Sequence, residues 1–349
     1  MKLDWKRLLS FRRDGVFGLD IGSSAVKIVR LCKDNTGYAV TEAGVVDIPS
    51  SEDDDNRREI NTVRAVRDCV QLTGIQTKMA VCSVCGSEVA VRNFRFPALP
   101  PEEIKPAVLL EAGQVCPFNA EDSAVDYQLI SGPDDNLRGF LVAATNTVLT
   151  SKVQLVRNAS LNCVLMDVDG LALVNCFNEF ETPQSDRATP ILNIGSSYTT
   201  LAIAGGNDLP FVRDIGHAGD EIVARIAAEN DMSTETVKEI LFGDSTEARL
   251  KLRDSLEKAC EELIVDVNET LRYYTAHKKT GIAQRIFVCG GLALVKDFVD
   301  LLGSRLPAEV VLWNPFDKIR CKAGSGHRDM LRQKGPVMAV AAGLAMRSI

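Results

Sequence analysis

Two short runs carry residue types that can bind phosphate. Residues 18–24 read GLDIGSS and residues 191–197 read ILNIGSS, one pattern returning 173 positions later. In each, a Gly-Ser turn follows an apolar strand, and such a turn exposes consecutive backbone N–H groups in a concavity suited to phosphate oxygens. Asp20 ends the first strand, where it can hold water around a magnesium ion, a cation that prefers hard oxygen ligands. Lys27 lies on the returning strand and can reach a phosphate as a point charge. Gly22, Ser23 and Ser24 complete the first turn, while Gly195, Ser196 and Ser197 make the second. One Gly-Ser turn closes any hairpin; one in each half can hold a polyphosphate from both sides. A third candidate wall is Gly290–Gly291 with Leu292, where an apolar run meets a helical pattern. Glycines there allow close approach of a ligand, and a helix start adds a favourable dipole end.

The elements that must position these turns repeat as well. VFGLDI and AVKIVRL read as strands around the first turn, with YAVTEAGVVDI as a third. A helix follows over about 57–72, with Ile60, Val63, Val66 and Val70 on its apolar face. In the second half TPILNI, YTTLAIAG and DLPFVRDI are the strands and GDEIVARIAAEN is the helix. The chain therefore contains two β-β-β-α units, an internal duplication of about half its length. A strand-and-helix stretch with a Pro-rich turn is inserted at 78–150. A helix over about 251–277 carries Leu252, Leu256, Cys260, Leu263, Val267, Leu271 and Tyr274 on one stripe.

Composition narrows the class. With 349 residues the chain can form two domains with substantial cores. Its net charge of −7 and lack of a long basic run speak against a nucleic-acid reader. No apolar run approaches the roughly 18 residues of a membrane span, and the basic start lacks the apolar core of a secretory signal. Ten cysteines in a chain this size read as reduced thiols serving as small apolar residues. The CSVC at 82–85 has metal-site spacing, but on a strand its cysteines face opposite ways and no second pair follows. In the leader, 1–14, Leu3, Trp5, Leu8, Leu9 and Phe11 are mixed with basic residues, a weak lipid-binding pattern at best.

In ordered combination these motifs resemble the actin-like ATPase superfamily. GLDIGSSAVK matches its first phosphate motif, ILNIGSSYTTLAI its second and VCGGLALVKDF its adenosine motif. Within it the chain resembles the PilM family, the FtsA-like proteins of the type IV pilus inner-membrane platform. FRFPALPPEEIKPAVLLEAGQVCPF, VDYQLI, FVRDIGHAGDEIVARIA, WNPFDKI and AVAAGLAMR carry that likeness over residues 15 to 349. The resemblance implies an α/β, actin-like fold of two duplicated lobes. It places the first lobe at 15–77, 151–187 and 335–349, an FtsA-type insert at 78–150, the second lobe core at 188–215 and 280–334, and a helical subdomain at 216–279.

By the same resemblance the cofactors are ATP or ADP with Mg²⁺. Asp20, Gly22, Ser23, Ser24 and Lys27 would face Asn193, Gly195, Ser196 and Thr199 across the phosphates. Gly219 and Asp220 match a glycine–acid step, and Glu235 with Lys238 an acid–lysine pair near the base. Asp169, in MDVDGLAL, stands where relatives place a polar residue facing the terminal phosphate; alternatively it caps the following helix. The second hairpin departs from the family, which has Asp where Asn193 stands. An amide brings no charge and accepts no proton at neutral pH, so weak magnesium binding and slow hydrolysis at most are expected. The implied partner is a PilN-like inner-membrane protein, whose cytoplasmic N-terminal peptide would dock beside the insert, between the strands around Val81 to Phe96 and the helix near Glu111. Other platform proteins and self-association are further partners the resemblance admits. It implies a cytoplasmic protein, peripheral at the inner face of the inner membrane. An FtsA-like division protein and a type II secretion platform component are the alternatives, the first disfavoured because the chain stops directly after its last core helix.

Overall fold

The computed structural model describes residues 15–50, 54–130, 136–181, 187–204, 209–277, 281–282 and 284–347. The leader at 1–14 lies outside the described residues. Strands β1 (Val16–Ile21), β2 (Ala25–Asp34) and β3 (Gly37–Asp47) form an antiparallel meander around the first Gly-Ser turn. β4 (Met79–Val84) then pairs in parallel with β1. After β5 (Val89–Phe96), β6 (Ser123–Ile130) and β7 (Leu137–Thr145), β8 (Asn162–Val168) pairs in parallel with β4. The second half repeats the order with β9 (Arg187–Ile194), β10 (Thr199–Ala204), β11 (Phe211–Ile215), β12 (Gly281–Ile282), β13 (Arg285–Cys289) and β14 (Glu309–Leu312). Apart from β15 (Arg320–Cys321) on one rim and β12 beside β9, the sheets run β3-β2-β1-β4-β8 and β11-β10-β9-β13-β14. The duplication legible in seven residues thus extends to two whole sheets of one topology.

Alternation along β9 divides the packing of the second sheet. Ile191 joins a core shared with Val29, Val81 and Leu173 of the first half, whereas Leu192 and Ile194 face the helical side with Ile222 and Leu263. Two helices fill the space between the sheets: Asp169–Phe180 packs on β10, and Ala339–Ala345 packs on both that helix and β1. Their buried faces are mostly Ala, Gly, Val and Leu, small enough for close approach.

Several expectations are corrected. The helix Asp55–Thr73 forms, capped by the Asp54 side chain at its start and by left-handed Gly74 at its end. It buries Thr62, Ala65, Val66 and Cys69, leaving Ile60 67% exposed. Small side chains let that helix lie against Gly44, where an added Cβ would stand 2.6 Å from Thr73, so closeness of approach outweighed apolar size. The stripe from Leu252 to Tyr274 is buried as expected, but two helices, Arg253–Ala259 and Glu261–His277, carry it, with Leu252 and Cys260 at the ends of the first. β4, assigned by sequence to the insert, belongs to the first sheet through β1. What remains of the insert is the three-stranded sheet β5-β7-β6. One face of it packs against the helix Pro101–Val115 through Phe94, Leu141, Ala143, Ile104 and Val108.

Candidate functional site

The two Gly-Ser turns meet across the lobes: the Ser196 hydroxyl donates to Ser24 Oγ at 2.7 Å. Each is closed by the same bond, Gly22 N–H to the Ala25 carbonyl and Gly195 N–H to the Tyr198 carbonyl, both at 3.1 Å. The amides of Ser23, Ser24, Ser196 and Ser197 have no hydrogen-bond acceptor among the described residues. That leaves two facing sets of donors, the arrangement a polyphosphate requires.

Behind the first turn the charges are arranged in depth. Asp20 and Lys27 face each other across β1 and β2 and form a buried ion pair at 3.2 Å. Lys152, on the helix Asn146–Asn158, donates to the Ile21 carbonyl at 2.8 Å. Asp169 is the first residue of its helix, and Val168 occupies the cap position with no side-chain capping bond. Its carboxylate is therefore not a side-chain cap. Burial first, then the negative charges of Asp20 and Asp214, push Asp169 up to about 6, against a Ser83 hydrogen bond and the charge of Lys152. A buried carboxylate with such negative neighbours is short of positive charge, and the hard oxygens of Asp20 and Asp169 fit a magnesium ion. Lys152 and Asp214 had no signal in the sequence: the lysine interrupts an ordinary amphipathic helix, and the aspartate stands in an ordinary strand.

On the second sheet Asn193, Thr200 and Asp214 are successive cross-strand neighbours on β9, β10 and β11. Asn193 Oδ1 accepts from the Cys289 thiol at 3.7 Å. Thr200 donates to Asp214 at 2.6 Å, and the other Asp214 oxygen accepts from the Gly86 amide at 2.7 Å. Burial raises the Asp214 carboxyl above the usual range. The carboxylate missing at 193 is thus present two strands away in the same row.

The other expected site residues divide. The amides of Gly219 and Asp220 donate to the carbonyls of Gly195 and Ser196 at 2.9 and 2.8 Å, so this helix start braces the turn and is not free for an anion. Thr199 is fully buried and donates to the His217 carbonyl, which removes its hydroxyl from the cleft. Lys238 reaches Asp220 at 3.6 Å, while exposed Glu235 bonds to neighbouring Thr234. Gly290, at φ +92°, is pressed against Asn193 and the Ile194 carbonyl; at Gly291 a side chain would meet open space. Leu292 is a core residue. The pattern after the glycine pair gives only a short 3₁₀ turn, Leu292–Leu294, and the α-helix begins later, at Phe298. That wall therefore has no α-helix start beside its glycines.

Two further clusters carry metal-ligating side-chain types. His217, Glu221 and Glu262 come close enough to hold a metal ion, but the Arg225 guanidinium already bridges both glutamates and Asp266 takes the second imidazole nitrogen at 2.8 Å. They form an ion-pair network. Cys82 is fully buried on β4, and both CSVC thiols are held well above their ordinary range, Cys82 chiefly by its hydrogen bond with Cys163 and Cys85 by burial.

Beside the insert, a groove of about 480 Å³ runs between β6 and β8. Both are edge strands, with no second neighbour among the described residues. Val84, Phe140, Val142, Leu149, Leu165 and Leu171 make its floor apolar, and Arg347 reaches bidentately across it to buried Asp167 at 2.5 and 2.9 Å. Of the walls expected between Val81 and Phe96 and near Glu111, only Val84 takes part. β5 is the opposite edge of the inserted sheet, and the Pro101–Val115 helix covers its far face.

Two lobes of one topology around facing Gly-Ser turns define the actin-like ATPase fold. The family model described as "Type IV pilus assembly protein PilM" matches residues 18–349, and the chain belongs to that family. The solved structure of a "PilM-PilN type IV pilus biogenesis complex" is similar at a TM-score of 0.82 and 20% identity, covering 96% of this chain and 98% of that one. The ethanolamine utilization protein EutJ from Carboxydothermus hydrogenoformans is similar at 0.55 and 13%, covering 95% and 88%. A diol dehydratase-reactivating factor in nucleotide-free form follows at 0.51 and 11%, covering 94% and 98%. Among the described residues no helix is long and apolar enough to cross a membrane.

Proposed function

We propose that this chain is an ATP-binding scaffold on the cytoplasmic side of a type IV pilus assembly platform, and that it holds the N-terminal tail of a PilN-like membrane protein in the β6–β8 groove. The observation that carries the nucleotide half is the meeting of the two donor-lined turns at Ser24 and Ser196. Ser23 and Ser24 would bind phosphate from one lobe, Ser196 and Ser197 from the other, and Lys27 and Lys152 would balance charge behind them. Asp20 would hold magnesium through water, where the ion would neutralise phosphate charge. Asn193 contributes no carboxylate and Asp214 is engaged by Thr200 and Gly86, so Asp169 is left to orient or deprotonate a water molecule. Hydrolysis should therefore be slow, well below the roughly 1–10³ per second of ordinary enzymes. The groove supports the partner half because two open edges above an apolar floor suit an extended apolar peptide.

Calorimetric titration of the purified chain tests both halves. Mg-ATP should bind, and Ser24→Tyr with Ser196→Tyr, which fill the turns, should abolish binding. A synthetic peptide of the PilN-like tail should bind the chain but not a Val142→Arg variant. Failure of Mg-ATP to bind the wild-type chain would refute the nucleotide reading; failure of the peptide would refute the partner reading.

A further inference from the structure

The last residue of the second phosphate turn does not face the cleft. Tyr198 lays its ring on Gly86, at the root of the insert: a Cβ on that glycine would stand 2.8 Å from the ring atoms Cε2 and Cζ. The Tyr198 hydroxyl lies 3.5 Å from Ser87 Oγ. Gly86 adopts φ +105°, a conformation that glycine adopts without strain. Its amide is held by Asp214, which Thr200 holds in turn, and Thr200 is the cross-strand neighbour of Asn193. An unbroken row, Asn193–Thr200–Asp214–Gly86, runs from the cleft to the insert beside the Tyr198 contact.

Gly86 lies where a small rotation has a large effect. It joins β4, which carries groove wall β8 as its neighbour, to β5, the edge opposite groove wall β6 in the inserted sheet. The return path is stitched to the same place, for the Thr145 amide and hydroxyl bond to the Glu88 carbonyl and carboxylate at 3.1 and 2.6 Å. The insert thus stands on a narrow base at 86–88 and 145. Between that base and the second lobe is a cavity of about 150 Å³, bordered by Val89, Val91, Pro117, Val212 and Asp214. It opens in part to solvent and gives the base room to turn.

We propose that Tyr198 and Asp214 are positioning residues which tie the second phosphate turn to the insert root, so that occupancy of the turn sets the separation of β6 and β8. The proposal rests on the nucleotide reading above and adds to it a path by which one site biases the other. Reciprocity then requires a peptide wedged in the groove to change nucleotide affinity by the same factor.

Amide hydrogen exchange on the full chain, with Mg-ATP as the probe, tests the tie. In the wild type, Mg-ATP should slow exchange at 22–24, at 85–89 and along β6, each by about threefold or more. In Tyr198→Ala and in Asp214→Ala, 22–24 should still respond while β6 no longer does. Tyr198→Phe and Asp214→Asn serve where an alanine variant fails to fold, and should weaken the β6 response without weakening that at 22–24. An undiminished β6 response in all four variants would overturn the tie, as would a wild type whose turns respond while β6 does not. A wild type with no response at 22–24 would overturn the nucleotide reading and the tie together, and the pattern distinguishes the cases.

Discussion

Replacing Asp169 with Asn should stabilise the free protein, and should do so only above mildly acidic pH. The carboxyl moves from an ordinary 3.8 to about 6 in the folded chain. Its folded pKa is raised, so between those two values the folded state holds a proton that the unfolded state has released. Stability on this account is full below about pH 4 and falls as pH rises toward 6, after which the loss is constant. At 1.36 kcal/mol per pKa unit, the charged carboxylate costs about 3 kcal/mol at pH 7.5 and about 0.5 kcal/mol at pH 4. Asparagine keeps the shape and carries no charge, so the variant should gain most of the difference, about 2.5 kcal/mol, on going from pH 4 to pH 7.5. Urea unfolding of both proteins at the two values measures it, because effects of the substitution on packing or on the Ser83 contact are the same at each pH and cancel. A gain that is equal at both pH values, or larger at pH 4, would refute the placement of Asp169 among Asp20 and Asp214.

Arg347→Ala leaves the Asp167 carboxylate buried without its guanidinium and should cost about 3 kcal/mol in urea unfolding; Asp167→Asn in the same chain should recover much of that, and failure to do so would show that the loss was in packing. Gly290→Ala forces a side chain into a positive φ against the Ile194 carbonyl and should lower stability by about 2 kcal/mol or more. Gly291→Ala next to it, with open space around it, should be nearly neutral in the same assay.

The repeated heptad made the two lobes readable, since an apolar strand, a Gly-Ser turn and a returning strand admit few arrangements and appear twice. The stripe from Leu252 to Tyr274 was readable for the same reason: its spacing holds even across helix breaks. What sequence did not show depends on contacts between distant segments. Gly219 and Asp220 look like an anion site from their helix start alone, yet their amides are spent on carbonyls of the Gly195–Ser196 turn, some two dozen residues earlier. Thr199 belongs to the phosphate motif by position, but strand alternation turns it inward. Lys152 and Asp214 reach the site only through tertiary packing, and no local pattern distinguishes them. On the Asp55–Thr73 helix Val63, Val66 and Val70 turn to the core as their spacing implies, and only Ile60 does not, because steric closeness favours Thr62 and Cys69 there.

The slot between β6 and β8 also bears on how the chain fares before any partner arrives. Unpaired strand edges are templates for joining another chain, and soluble proteins ordinarily blunt them with charge, proline or a covering element. Here two edges share an apolar floor, and Asp126 on β6 is the only acidic group along that strand. Uncovered, the slot is accordingly at risk of sticking to its own copies, and the proposed peptide would act there as a stopper. Yield and solubility should follow the supply of that peptide, so the chain is best produced together with the segment that closes it.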